Sequence, residues 1–336
     1  AKPLAQAAAI GATQGAIAPV TDVENFGEEK LKQTAGGGVF GLAGAGLVKG
    51  ASQGAGLGNK FLANIREVDA IIHVIRCFED ENILREEGAI NPISDKEIIE
   101  TELQLKDLDS VERKLSRMEK MLKTGDAKMK LEYDVLLQCK EQLNKGKSIL
   151  SMNLGKEEKA AIAENFLLSE KPVLYVANVD EASMHTGNKY SDALIEAVKN
   201  EGAQVIIMTN AIEAQIAEFD NPDDKAMFME EYKMTEPALN RLIRSAYKLL
   251  NLDTYFTAGV QEVRAWTIQK GWKAPQAAGV IHTDFEKGFI RAEVIKLADY
   301  QALKTELACK EAGKMSVEGK EYIVQDGDVI EFRTGA

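Results

Sequence analysis

The segment Lys171-Pro-Val-Leu-Tyr-Val-Ala-Asn178-Val-Asp-Glu181 places an amide and a carboxylate three residues apart, directly after an apolar run. An amide presents a donor and an acceptor side by side, whereas an ionised carboxylate only accepts. Such a pair suits the mixed hydrogen-bonding edge of a heteroaromatic base. A second polar stretch, Thr209-Asn210-Ala211, follows the apolar run Val205-Ile-Ile-Met208 and adds a hydroxyl and backbone N–H groups. For Asn178 alone, an ordinary Asx turn is the plain alternative.

Both apolar runs have the character of parallel strands covered on two faces. Open α/β sheets bind their ligands beyond the carboxyl ends of such strands. A third run of this kind, Ala70-Ile-Ile-His-Val-Ile-Arg-Cys-Phe78, lies upstream. Helices are expected over Tyr190–Lys199, Ile212–Phe219 and from Glu236 to about Leu250. Between the strands the period changes to three and four, with Leu108, Val111, Leu115, Met118 and Leu122, then Leu136, Cys139 and Leu143. Thr124-Gly-Asp126 breaks the run. Two helices around a tight turn form an antiparallel hairpin, expected over residues 95–167 as a projecting arm that could be replaced across 97–147. Trp266-Thr-Ile, Ala292-Glu-Val and Lys320–Arg333 are expected as strands, with Gln325-Asp326-Gly327-Asp328 as a hairpin turn.

The Gly-rich stretch Gly46-Leu47-Val48-Lys49-Gly50 to Gly58-Asn59-Lys60-Phe61-Leu62, the strand Ala70–Phe78 and the Asn178–Glu181 motif together closely resemble the YchF subfamily of Obg-like ATPases, a branch of the P-loop hydrolases. Thr257–Ile268 and Ala274–Glu293 resemble that subfamily's C-terminal TGS domain. The likeness runs from about residue 45 onward. It implies an α/β fold: a P-loop NTPase-like, mostly parallel sheet with an inserted antiparallel helical hairpin and a C-terminal β-grasp (TGS-like) domain. The domains would be a nucleotide-binding domain from 1–94 and 168–250, the arm at 95–167, and the TGS-like domain at 251–336.

The resemblance also implies roles. Gly46 matches the switch II glycine whose N–H meets the γ-phosphate, and Leu47 stands where many GTPases place the water-orienting Gln. Asn178, Val179 and Glu181 would read the base, with Thr209, Asn210 and Ala211 behind it. G proteins carry Asn-Lys-x-Asp at the first of these positions. With Val179 and Glu181 in place of Lys and Asp, ATP is expected over GTP, and Val179 would offer the base an apolar wall. Mg²⁺ is the implied cofactor, a ribosome or RNA the implied partner, and a cytoplasmic monomer the expected form.

The first 58 residues hold 13 of the 27 glycines, and no Gly-x-x-x-x-Gly-Lys-[Ser/Thr] occurs anywhere in the chain. That motif cradles the β- and γ-phosphates. The Mg²⁺-shell Asp and Thr of the family fall on Ala43 and Ala16. On this register Ile17-Ala-Pro19 stands at switch I, Val20–Phe26 is a strand, and Glu28 opens a helix. The central strand is expected either to be missing or to be replaced by a segment from residues 1–45. A polypeptide of this literal sequence is therefore expected to hydrolyse nucleotide poorly, and the alternative is a non-catalytic ribosome- or RNA-interaction module.

Composition narrows the rest. A charge of −12 argues against a broadly basic nucleic-acid surface, although a local patch remains compatible with it. The three cysteines Cys77, Cys139 and Cys309 are widely spaced, the pattern of free thiols in a reducing compartment rather than a metal cluster. No run of about 18 apolar residues exists to span a membrane. His73, inside a strand, is expected as a packed residue. His185 is expected in a capping or exposed role, and His282 with Asp284 as a pair without catalytic function.

Overall fold

The computed structural model describes residues 7–11, 17–19, 59–80, 90–121, 127–259 and 262–335. The chain divides into two compact units, Ala5–Ala246 and one built on Tyr247–Ala336.

The first unit contains β1 (Ala7–Gly11), β2 (Ile17–Pro19), α1 (Asn59–Glu67), β3 (Ala70–Arg76), α2 (Pro92–Met121), α3 (Ala127–Asn144) and α4 (Lys156–Ile162). It continues with β4 (Val173–Asn178), α5 (Lys189–Val198), β5 (Gln204–Met208), α6 (Asn210–Glu218), α7 (Pro222–Glu231) and α8 (Ala238–Leu249). Among the described residues its sheet runs β2-β1-β3-β4-β5. β1, β3, β4 and β5 are parallel, and β2 is an antiparallel edge strand. The register sets Arg76 beside Asn178 and Asn178 beside Met208, so the polar strand ends lie level.

The place beside β3 is filled from within the first 45 residues, with Ala7 beside Ala70 through to Gly11 beside Val74. Ile17–Pro19, expected at switch I, pairs with β1 as the edge strand. The strand expected over Val20–Phe26 and the helix from Glu28 lie outside the described residues.

Helices α2 and α3 pack along the expected seam. Val111, Leu115 and Met118 meet Val135, Leu136, Cys139 and Leu143, and Ile149, Ile162 and Leu167 close its root. The tip residues 122–126 are outside the described set. The expectation that 97–147 can be replaced without touching the body needs correction, because the first half of α2 packs against the body. Leu103 packs with Leu62, Ile65, Ile71 and Leu168. Buried Lys96 pairs with Glu100 and Glu201 at 2.8 and 2.7 Å, and Glu100 accepts from the Tyr175 hydroxyl at 2.6 Å. Asp107, 1% exposed, accepts from the N–H groups of Leu168 and Ser169 at 2.8 and 2.7 Å. An apolar stripe cannot flag these contacts because the anchoring side chains are polar. Excising 97–147 would strip the body of them.

The second unit contains β6 (Leu252–Ala258), β7 (Val263–Gln269), α9 (Ala274–Ile281), α10 (Thr283–Lys287), β8 (Phe289–Lys296), α11 (Leu297–Leu303), α12 (Glu306–Glu311), β9 (Met315–Glu318) and β10 (Asp328–Thr334). Its sheet runs β7-β6-β10-β8-β9. The alanines Ala274, Ala277 and Ala278 of α9 pack with Tyr255, Ile268, Phe289 and Ile330, giving the β-grasp arrangement. A smaller cluster of Ile295, Cys309 and Val329 includes residues of α12 and α11.

The hairpin expected at Gln325–Asp328 is replaced by a different device. Lys320–Val324 forms no strand of the sheet: Ile323 bridges to Lys273, the Val324 N–H donates to the Trp272 carbonyl at 3.0 Å and the Tyr322 carbonyl accepts from Ala274 N–H at 2.8 Å. Instead, the buried Asp328 carboxylate accepts from Gln325 N–H at 2.9 Å and from the Tyr322 hydroxyl at 2.7 Å, and it pairs with Lys296. Gly327 is needed at its φ of +81°, where its N–H reaches the Thr254 carbonyl at 2.8 Å. The turn thus delivers β10 between β6 and β8.

Candidate functional site

The carboxyl edge of the parallel sheet collects the predicted polar groups. Asn178 ends β4 half-buried, and its Oδ1 accepts the N–H of Asn210 at 3.0 Å. That bond fixes the amide: its carbonyl holds the first turn of α6, and its Nδ2 supplies the donors a ring nitrogen would meet. The chain then turns at Asp180, whose carboxylate accepts from Ser183 N–H at 2.9 Å and starts the turn Glu181–Ser183. Thr209 donates its hydroxyl to the Asp180 carbonyl at 3.3 Å, tying the two strand ends together. Glu181 and Ala211 are exposed on this edge.

Val179 departs from expectation. Its side chain is 2% exposed and packs with Ile75, Cys77, Tyr175 and Leu194. It faces the core because strand pairing continues one residue past β4, through Val179 N–H to the Met208 carbonyl at 3.0 Å. An apolar wall for the base is therefore not its role. Gly46 and Leu47 lie outside the described residues.

Beside Glu181 opens a hollow of about 450 Å³ lined by Glu181, Ala182, Met184, His185, Glu231, Tyr232 and Lys233. A second hollow of about 170 Å³ shares Met184, His185 and Lys233 with it and reaches Thr209 and Arg241. His185 Nε2 donates to the Tyr232 carbonyl at 2.9 Å, and the Tyr232 hydroxyl belongs to the same hollow as the Glu181 carboxylate. Burial, and then the Glu181 charge, hold that hydroxyl above the ordinary phenol range.

Asn188 is a structural residue of this edge that the sequence reading missed. Its Oδ1 caps α5 through the N–H groups of Tyr190 and Ser191 at 3.0 and 3.1 Å, while its Nδ2 donates to the Cys77 carbonyl at 2.7 Å. The same Nδ2 reaches Ser183 Oγ at 3.3 Å, so one side chain joins β3, the Glu181 turn and α5. An Asn ahead of a helix is a recognisable cap signal; its second set of bonds is not. Gly187 precedes it at φ +74°, where an added Cβ would come within 2.5 Å of Ser191 Oγ.

The other candidates for chemistry are structural. His73 is 2% exposed with no partner for its Nε2, and burial followed by Lys96 lowers its pKa to about 3. Cys77 is buried, and desolvation first, then Asp95, pushes its thiol up to about 12. His282 caps α10 by accepting Asp284 N–H at 3.2 Å. Neither His73 nor Cys77 is poised as an acid, base or nucleophile at neutral pH.

The Asn178 amide and the Glu181 carboxylate thus stand together on one strand-end edge, with Asn210 holding the amide in place. The positions implied for phosphate and Mg²⁺ lie outside the described residues, so no step is assigned to the metal.

Comparison with known proteins places this edge in context. The chain is 54% identical over 288 residues to the ribosome-binding ATPase YchF of Escherichia coli O157:H7, covering 86% of this chain and 79% of that one. Identity to the ribosome-binding ATPase YchF of Bacillus subtilis is 48% over 291 residues, with the same coverage of 86% and 79%. The solved structure of the Schizosaccharomyces pombe YchF GTPase superposes with a TM-score of 0.73 at 38% identity, covering 86% of this chain and 78% of that one. The family model YchF-GTPase_C, described as a protein of unknown function (DUF933), matches residues 252–335. With its parallel sheet, inserted helical hairpin and β-grasp unit, the chain belongs to the YchF family of P-loop nucleotide hydrolases.

Proposed function

We propose that this protein is a cytoplasmic, monomeric, ribosome-associated nucleotide switch whose base edge prefers ATP to GTP. One observation carries the base preference. Asn178 is locked by Asn210 with its Nδ2 available to a ring, and Glu181 stands three residues on, while the Asp180 carboxylate between them is engaged by the Ser183 N–H. A guanine reader uses a carboxylate placed to take two adjacent N–H donors, and neither the Lys nor the Asp of that arrangement is present. The relatives' names divide between ATPase and GTPase, so the chemistry of the edge is the better guide. Among the described residues no helix is long and apolar enough to cross a membrane, in keeping with the ribosome as partner. The arm and the β-grasp unit are the surfaces proposed to meet it.

The implied Mg²⁺ would act with the phosphates, where hydrolases of this class stabilise charge with cations and backbone N–H groups. Because the 336 residues contain no Gly-x-x-x-x-Gly-Lys motif, a polypeptide of this sequence alone is expected to hydrolyse nucleotide slowly. The same fact favours a second reading, in which the sheet scaffolds the arm and β-grasp unit without catalysis. Equilibrium competition between ATP and GTP tests the base preference, with ATP expected to bind more tightly by about tenfold, or about 1.4 kcal/mol. A GTP preference of that size would overturn it. Co-sedimentation with ribosomes, with and without ATP, separates switch from scaffold: the switch reading expects association to change with nucleotide.

A further inference from the structure

The arm uses its charges differently along its length. In the inner part cations are matched: Arg113 pairs with Asp109 at 2.6 Å, Lys114 with Glu132 at 3.1 Å and Lys140 with Glu112 at 3.0 Å. Farther out the matching stops. Arg117 and Lys120 near the end of α2, and Lys128 and Lys130 in the first turn of α3, are exposed and have no side-chain ion pair or hydrogen bond among the described residues. The one carboxylate among them, Glu119, accepts from the Tyr133 hydroxyl at 3.4 Å. Four cations against one acid leave the described outer end at +3, in a chain whose total is −12. These positions do not serve the hairpin. α3 has no acidic residue in its first turn, where the free N–H groups and the helix dipole favour anions, so Lys128 and Lys130 oppose the dipole. Arg117 and Lys120 repel each other three residues apart on one helix. The seam is carried by apolar side chains that these four leave untouched.

We propose that the outer end of the arm is an electrostatic contact for RNA, with Arg117, Lys120, Lys128 and Lys130 meeting backbone phosphates. This rests on the ribosome reading above and names the chemistry that the arm would touch there. Phosphates offer closely spaced negative charge, and Lys and Arg bind them without reading sequence. The N-terminus of α3 lies among the lysines, and its free N–H groups suit phosphate oxygens. Setting aside the +3 of the outer end, the rest of the chain carries −15 and repels a polyanion. A contact with RNA must therefore be confined to a place where cations outnumber acids, and the end of a projecting hairpin is such a place.

The test compares the full chain with a four-site variant, Arg117→Gln, Lys120→Gln, Lys128→Gln and Lys130→Gln combined. Helix content and thermal midpoint should hold or rise, because the variant relieves repulsion and spares the seam. Affinity for an RNA duplex of about 20 base pairs should fall about tenfold or more at about 0.1 M salt, and the slope of log affinity against log salt should become shallower by about 2 to 4. Pelleting with ribosomes should weaken in parallel. Lys145→Gln with Lys147→Gln, exposed lysines near the root, should change duplex binding by less than about twofold. Unchanged duplex and ribosome binding in the four-site variant would overturn the contact and leave the ribosome reading standing. Weaker ribosome binding with unchanged duplex binding would assign the cations to an acidic protein and overturn it as well. An equal loss per charge in the root variant would reduce the effect to net charge, and a melted arm in the four-site variant would make these residues structural; either result overturns the proposal. No ribosome association by the unmodified protein would remove both claims.

Discussion

The two units use their polar side chains in opposite ways. In the β-grasp unit the buried polar groups satisfy each other. Asp328 is enclosed by Lys296, Tyr322 and the Gln325 N–H, and the Tyr255 hydroxyl is bonded to the Ala277 carbonyl at 3.0 Å. At the sheet edge of the larger unit the polar groups are only half used. Asn178 is engaged through its oxygen, and Glu181 is exposed beside an open hollow. A closed network specifies a fold, whereas a partly open one at the ends of parallel strands can receive a ligand. By that criterion the strand-end edge is the region open to a ligand, and the Asp328 network is scaffolding within the β-grasp unit.

The largest expected effect breaks the closed network. Asp328→Ala should lower the stability of the C-terminal unit by about 3 kcal/mol, since it removes a buried charged acceptor from two hydrogen bonds and an ion pair. Both tryptophans of the chain, Trp266 and Trp272, lie in this unit, so their fluorescence during urea unfolding isolates it. Adenosine binding should be unchanged. A loss of adenosine binding would mean that the two regions are not independent in the way described.

A smaller effect, in the body of the larger unit, concerns His73. Its folded pKa of about 3 lies well below the ordinary value of 6.5. Below pH 6.5 the unfolded chain takes up a proton that the folded protein refuses. Stability from this group is therefore complete above pH 6.5 and is lost as pH falls toward 3. The loss between pH 7 and pH 5 should be about 2 kcal/mol, at about 1.4 kcal/mol per pH unit. Denaturation followed by circular dichroism at the two pH values measures it, and His73→Leu should remove that share of the pH dependence.

Much of this was legible in the sequence, for physical reasons. Strands β3, β4 and β5 announce themselves because burial on both faces demands continuous apolar runs, and the arm's seam shows in the three–four spacing of Val111, Leu115 and Met118. Asn178, Thr209 and Asn210 come together as their positions after strands require. Val179 turns to the core and not to a ligand because a residue just past a strand still obeys the strand's alternation. The root of the arm was invisible because Lys96, Glu100 and Asp107 anchor it with charge and not with apolar surface.

The smallest expected effect sharpens the comparison most. Asn188 does both kinds of work, capping α5 with its oxygen and stitching Cys77 and Ser183 with its nitrogen. Asn188→Ala should cost about 1 kcal/mol, the usual value of an N-cap. It should also loosen the Glu181 turn and weaken adenosine binding. Asn188→Asp separates the two jobs. A carboxylate still caps the helix, but it has no N–H for the Cys77 carbonyl and sets charge against it. If the stitch positions Glu181, the aspartate variant should keep most of its stability and lose as much adenosine affinity as the alanine variant. Full affinity in Asn188→Asp would show that the cap alone orders the edge, and that its polar groups need less support from the fold than the geometry indicates.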